Sequence, residues 1–163
     1  MAQSTPPPWL DDQERRTWLA LITVVTMLPS ALDAQLAPGS DINYFEYTVM
    51  AGLSEQPDRT LQMKHLALFA NGSLSRLSHA MTRLEQRGWV RRGKDPTNGR
   101  LTVATLTDEG YDHIVSAAPS HVSEVRRMVF DPLTPAQISA LEEIASRIAA
   151  ALGAPDDPFG PIP

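Results

Sequence analysis

Residues 73–110 read SLSRLSHAMTRLEQRGWVRRGKDPTNGRLTVATLTDEG. Ser73 has the hydroxyl of a good helix N-cap and Gly88 suits the C′ position, so a helix is expected up to Arg87. On a helical wheel Leu74, Leu77, Met81 and Leu84 share one face. Ser75, Arg76, His79, Thr82, Arg83 and Gln86 fall opposite, each able to donate or accept a hydrogen bond. Trp89 and Val90 then begin an extended segment, and Leu101 to Leu106 is β-branched and rich in threonine. Asp95-Pro96 and Asn98-Gly99 between them are strong turn signals, so this is a β-hairpin with a basic tip. Thr107-Asp108-Glu109 starts the next helix, with a threonine cap and two carboxylates where the helix dipole favours them.

Working outward, Ala70-Asn71-Gly72 is a tight turn before the Ser73 helix. Leu61 to Phe69 precedes it as a short helix with Met63, Leu66, Ala67 and Ala70 inward. Two short helices joined by a glycine-containing turn outline a helix-turn-helix. Asn43 to Leu53 is a further helix, with Phe45, Val49, Met50 and Leu53 inward and a stop at Gln56-Pro57-Asp58. From Asp11 to Leu36, Trp18, Leu21, Ile22, Val25, Leu28 and Leu32 recur at helical spacing. Leu19, Val24 and Met27 widen that stripe. Pro29 is expected to kink this first helix, Ala37 to Ser40 to end it, and Pro119 to bend or break the fifth. Thr134-Pro135-Ala136-Gln137 gives a capping box for a last helix, whose seam is Ile138, Leu141, Ala145, Ile148 and Leu152. The first and last helices flank the basic unit and are rich in apolar surface, which favours a dimer.

The expected fold is mainly α (α+β): a winged helix-turn-helix with N- and C-terminal dimerisation helices. Its layout is an unstructured tail over 1–10, a dimerisation region over 11–36 and 111–153, a DNA-binding unit over 41–110 and a second tail over 154–163.

Composition narrows the function. The 163 residues are 42% hydrophobic and 20% charged, enough for one folded unit, and no cysteine is present. Disulfides, thiolate metal sites, cysteine nucleophiles and thiol redox switches are thereby excluded. His65, His79, His113 and His121 are scattered without metal spacing, so no metal or cofactor is expected. The serines have no orienting acid beside His79, and Glu142-Glu143 and Asp156-Asp157 read as solvated charge, so an enzyme is not expected. No unbroken apolar run approaches 18 residues, so no membrane partner is expected. The start MAQSTPPPWLDDQERR lacks the pattern of a secretory signal, which makes the cytoplasm the default location.

Net charge is −5, but its distribution is uneven. From Arg76 to Arg100 seven basic residues face only Glu85 and Asp95, while the remainder holds seven basic and 17 acidic residues. One positive face on an acidic body attracts phosphate locally and limits indiscriminate binding. A helix fits the major groove of double-stranded DNA, where side chains distinguish all four base pairs. The start of the Ser73 helix is the reading end, which places Ser75, Arg76 and His79 nearest the bases and Arg83 on the backbone, with Ser73 also on the DNA-binding surface. The hairpin carries Lys94 and Arg100, with Thr97 and Asn98 near its tip, and can follow phosphates or enter a minor groove. Taken singly, the helix is an ordinary amphipathic helix and the hairpin a charge-protected edge. Their order is what specifies a winged helix.

The stretch MKHLALFANGSLSRLSHAMTRLEQRGWVRRGKDPTNGRLTVATLTDEG resembles the core of the MarR family of bacterial transcription regulators. The recognition helix ending in RLEQRGWVRR, the wing from Asp95 to Arg100, and LTDEG carry the match, which extends over roughly Arg15 to Leu152. The resemblance implies a homodimeric repressor on a pseudo-palindromic operator, released by a small, often aromatic, effector. A pocket between the first, second and fifth helices would draw on Trp18, Tyr44, Tyr47 or His65, whose spacing equally suits plain core. The family's wing usually reads Asp-x-Arg, whereas Thr97 occupies the arginine position here. Asp95 and Arg100 can then pair across the hairpin and set the wing tip; either DNA binding is weaker for the missing charge, or Lys94, Arg91 and Arg92 compensate. The competing reading is a winged-helix dimerisation or protein-interaction module without DNA binding.

Overall fold

The structure, a computed structural model, describes residues 9–36 and 41–154. Helix α1 spans Asp12–Leu36, α2 Tyr44–Ser54, α3 Met63–Phe69, α4 Leu74–Gln86, α5 Asp108–Val125 and α6 Pro135–Ala151. Strands β1 (Thr60–Gln62), β2 (Val90–Lys94) and β3 (Thr102–Leu106) form one antiparallel sheet in the order β1-β3-β2. This is a mainly helical winged helix-turn-helix. The proposed tails fall outside the described residues except for Trp9, Leu10 and Ala154, and so does the expected helix end at Ala37 to Ser40.

Local chemistry explains most boundaries. Asn43 caps α2 by accepting the Glu46 amide, and Glu46 returns a carboxylate to the Asn43 amide, closing a capping box. Ser73 caps α4 through the Arg76 amide, and Gly88 follows that helix at φ +74°, a conformation other residues rarely adopt. Thr107 accepts the Gly110 amide, and Thr134 and Gln137 reciprocate at the start of α6.

Two expectations need correction. Leu61 does not begin α3; it is the centre of β1, opposite Ala104, and the helix starts at Met63. A three-residue strand is too short to show alternation, and its partner β3 lies 40 residues downstream. Leu74 does not join the inner face of α4; it is 57% exposed, while Ala80 is fully buried in the core with Leu77, Met81 and Leu84. Leu74 sits at the first helical position, before the face that meets α3 is established. Pro119 does not break α5, and α1 likewise continues past Pro29. Each proline frees the carbonyl four residues earlier, on Val115 or Val25, and both of those residues are exposed, so water can satisfy it. Beyond Val125 the chain continues as a π-helical turn over Arg126–Phe130 before α6.

The core is built on α2, α3, α4 and the sheet, with Val49, Met50, Leu53, Leu66, Leu77, Met81 and Leu84 fully enclosed. By contrast, α6 buries nothing within its own chain, and α1 buries only Leu32 and Leu36. Trp18 is 51% and Met27 65% exposed, alongside Val24, Val25, Leu141 and Ile144. A groove of about 560 Å³ between α1, the π turn and α6 is lined by Val24, Met27, Leu28, Met128, Leu133 and Leu141. Helix α1 holds no unbroken run of 18 apolar residues, yet its average is high. Its 25 residues include an 18-residue window of mean hydropathy 1.6, long and apolar enough to cross a membrane by length and composition. Thr23, Thr26, Pro29 and Ser30 interrupt the apolar run without lowering its average enough.

Candidate nucleic-acid interface

The exposed face of α4 carries Ser75, Arg76, His79, Thr82 and Arg83 in one strip. Ser73 stands at its start, where its oxygen is occupied by the Arg76 amide at 3.1 Å. Arg76 lies over the Phe45 ring, 4.1 Å from its centroid. Arg83 donates from Nε to Glu46 Oε1 at 2.5 Å, and Glu46 is only 3% exposed. Both arginines of the strip are therefore held by the first turn of α2.

The wing follows directly. Strands β2 and β3 pair from Val90 opposite Leu106 to Lys94 opposite Thr102. Asp95 does not pair with Arg100. One carboxylate oxygen accepts the Thr97 amide at 2.8 Å, the Thr97 hydroxyl at 2.7 Å and the Asn98 amide at 3.2 Å, while the other accepts Gln62 Nε2 at 3.2 Å. The Thr97 hydroxyl and these backbone amides hold the carboxyl below the usual aspartate range. Asn98 turns its own oxygen to the Arg100 amide at 3.2 Å. Thr97 and Asn98 thus build the tip, and the Lys94 and Arg100 side chains have no carboxylate partner among the described residues.

Arg92 is not available to replace the missing wing charge. Its guanidinium meets Glu85 Oε2 from Nε at 3.0 Å and from NH2 at 2.5 Å, and its amide donates to Glu85 Oε1 at 2.8 Å. It also reaches the Ser78 and Thr82 hydroxyls. These hydrogen bonds depress Glu85 and bolt β2 onto α4. Of the expected substitutes, only Arg91 and Lys94 stay outside such a pair. Both border a groove of about 1010 Å³ on the outer sheet face, together with Gln62, His65 and Asp95.

Of the four aromatic residues considered for an effector pocket, the structure brings only Tyr44 and Tyr47 together. Their partner is His121 of α5, whose ring centroid is 4.2 Å from that of Tyr47 and 6.1 Å from that of Tyr44. Trp18 lies exposed on α1, and His65 faces the wing groove instead. Gln35 of α1 donates to the Ser120 hydroxyl at 2.8 Å beside this cluster, and Asp33 accepts the Tyr44 amide at 2.8 Å. Gln35 Oε1 and His121 Nδ1 are buried without a hydrogen-bond partner among the described residues. Burial pushes His121 below, and Tyr47 above, their ordinary pKa values.

Sequence reasoning placed Phe45 in the core, Arg92 among the wing charges and Glu85 against them, but assigned none of them its contact, and it gave Glu46 and Gln62 no role. The Asn43-x-x-Glu46 spacing was legible, being the capping pattern recognised at Thr134 and Gln137. Nothing in the spacing of Glu85 and Arg92 announces a pair, because a helix end and a strand approach each other only after the turn at Gly88.

A helix-turn-helix with a basic wing on a mainly helical chain defines a class of DNA-binding protein. The MarR family model matches residues 42–102. Sco3205, a MarR family transcriptional regulator from Streptomyces coelicolor solved in complex with DNA, is 42% identical; the match covers 91% of this chain and 93% of that one, with a TM-score of 0.84. AbsC, a MarR family regulator from the same organism, is 33% identical over 89% of this chain and 97% of its own, with a TM-score of 0.82. The HTH-type transcriptional regulator MhqR of Bacillus subtilis (strain 168) is 27% identical over 108 residues, which is 66% of this chain and 72% of MhqR. The chain belongs to the MarR family and is a transcriptional regulator of the winged helix-turn-helix type.

Proposed function

We propose that the protein is a homodimeric repressor that reads a pseudo-palindromic operator and leaves it when a small aromatic molecule binds. The observation that carries this reading is the exposed strip Ser75, Arg76, His79 and Arg83 beside an unpaired Lys94 and Arg100, in a chain 42% identical to a regulator solved on DNA. Ser73, Ser75, Arg76 and His79 read base edges from the start of α4, and Arg83 contacts phosphate. Lys94 and Arg100 follow the backbone into a flanking minor groove, with Thr97 and Asn98 shaping the tip around Asp95. The uncovered apolar faces of α1 and α6 support the dimer, because side chains such as Trp18, Met27 and Leu141 gain stability by leaving water. Regions 11–36 and 111–153 then form the dimerisation unit, and 41–110 the DNA-binding unit. A role on DNA fits the cytoplasm as its location.

Release draws support from the Tyr44, Tyr47 and His121 cluster. Aromatic faces beside two unpartnered buried polar atoms suit a flat ligand with a donor group. Such a ligand would wedge between α1, α2 and α5, and α2 also holds the arginines of α4.

Fluorescence anisotropy tests the core of this reading. A duplex selected by the protein from a random-sequence pool is compared with a scrambled duplex of equal composition, at several salt concentrations. Tight, salt-sensitive binding of two protomers per selected duplex is expected. Equal, weak binding to both duplexes contradicts it and favours a winged-helix interaction module, for which the uncharged Thr97 is the supporting feature.

A further inference from the structure

We infer that Phe45 and Glu46 of α2 are positioning residues for DNA readout, each aiming one arginine of α4. The inference rests on the reading that α4 contacts DNA, and it adds residues that lie outside the helix-turn-helix and the wing.

The two side chains are consecutive on the first turn of α2 and are both buried. The Phe45 ring packs where Gly72 leaves it room: a Cβ on Gly72 would lie 2.6 Å from Phe45 Cε2. The turn of the helix-turn-helix therefore clamps the ring, and the Arg76 guanidinium rests on it at 4.1 Å. A guanidinium stacked on a ring keeps its in-plane donors at the edge, the geometry needed for a bidentate contact with a guanine. Glu46 has both oxygens in use. Oε2 accepts the Asn43 amide at 3.1 Å, and Oε1 accepts Arg83 Nε at 2.5 Å. A carboxylate this enclosed requires a cation, so Arg83 is held by its Nε edge. Its terminal nitrogens have no partner among the described residues and remain available to a phosphate. Long arginine side chains normally lose rotamer freedom when they bind. Here most of that ordering is done by folding, which favours binding in one register over many.

Double-mutant cycles test the inference, the first read as the ratio of affinities for the selected and scrambled duplexes. F45L keeps an apolar side chain in the core but removes the ring face; it is expected to lower the ratio about three- to fivefold. In an R76A background, F45L should lower it no further. Because Arg83 contacts phosphate, the second cycle is read as absolute affinity for the selected duplex: E46Q should weaken binding in the parent and not in an R83A background. Circular dichroism melts establish that each variant is folded, and Phe45→Met substitutes for F45L if the latter does not fold. A merely structural role would make the single effects add in both cycles, and additivity overturns the inference. If R76A alone leaves the ratio unchanged, the reading of α4 fails and the inference with it. If R76A lowers the ratio while F45L adds its full effect on top, the reading of α4 stands and the positioning role falls.

Discussion

The Asp95 carboxylate accepts the Thr97 hydroxyl at 2.7 Å, so the wing tip is closed by an uncharged side chain two residues further on. The same oxygen takes the Thr97 and Asn98 amides, and Gln62 of β1 ties the other oxygen to the sheet. A tip fixed this way keeps its shape without an arginine, at the expense of one positive charge per wing.

Restoring that charge gives the first prediction. Thr97→Arg should tighten binding to both selected and scrambled duplexes and steepen the log-log salt dependence by about 0.9 per wing, or about 2 for a dimer. Anisotropy titrations at four salt concentrations measure the slope. An unchanged slope would show that the tip does not approach phosphate.

Two glycines of the winged unit should respond oppositely to alanine. A Cβ on Gly110 would sit 2.1 Å from the Trp89 carbonyl oxygen and 2.9 Å from Leu106 Cδ1. The first obstacle is backbone at the base of the wing, so G110A should cost about 1–3 kcal/mol in urea unfolding. A Cβ on Gly93 meets nothing within 4 Å, and G93A should be neutral or slightly stabilising, by up to about 0.5 kcal/mol. Equal effects would refute the packing account of the α5 start.

Stability should fall with mild acid. Burial lowers the folded-state pKa of His121 below its ordinary 6.5, so the unfolded chain binds the proton more readily. The His121 contribution is complete above about 6.5 and is lost as pH falls from there through the lowered folded value. The depressed carboxylates Glu85 and Asp95 lose their contributions only at lower pH, as it falls from the ordinary carboxylate values through their lowered folded values. Between pH 7 and pH 5 the melting temperature of the parent should therefore drop, and that of His121→Gln should drop less. Parallel curves would mean that His121 gains a proton as easily folded as unfolded.

The apolar groove between α1 and α6 predicts the assembly. Leu141→Glu places a charge on its lining without disturbing any buried residue of the same chain. Sedimentation should give a dimer for the parent and a monomer for this variant. A monomeric parent, or a dimeric variant, contradicts dimerisation through this face.

How much of this was legible in the sequence follows from the range of each interaction. Caps and turns act over three or four residues, so Ser73, Thr107, the Thr134–Gln137 box and the Asn98-Gly99 hairpin could all be read locally. The strip on α4 was legible because a helical wheel needs only spacing. Strand β1 was not, since three residues become a strand only by pairing with β3. The roles of Phe45, Glu46 and Arg92 were hidden for the same reason. Arg83 and Glu46 are 37 positions apart, and a charged residue read alone looks like solvated surface. The expected Asp95–Arg100 pair shows the opposite error: two opposite charges across a hairpin invite a pair, but closer hydroxyl and amide donors had already filled the carboxylate.

If α4 reads sequence while the wing supplies charge, two alanine variants separate the roles. Arg76→Ala and Arg100→Ala are titrated against the selected duplex and against versions altered at each base pair. Arg76→Ala should cost roughly 1–3 kcal/mol on the selected duplex and relax preference at one position in each half-site. Arg100→Ala should weaken all duplexes alike and reduce the salt slope by about 1 per wing. Undiminished operator affinity in both variants, or loss of base preference in Arg100→Ala alone, would contradict the account.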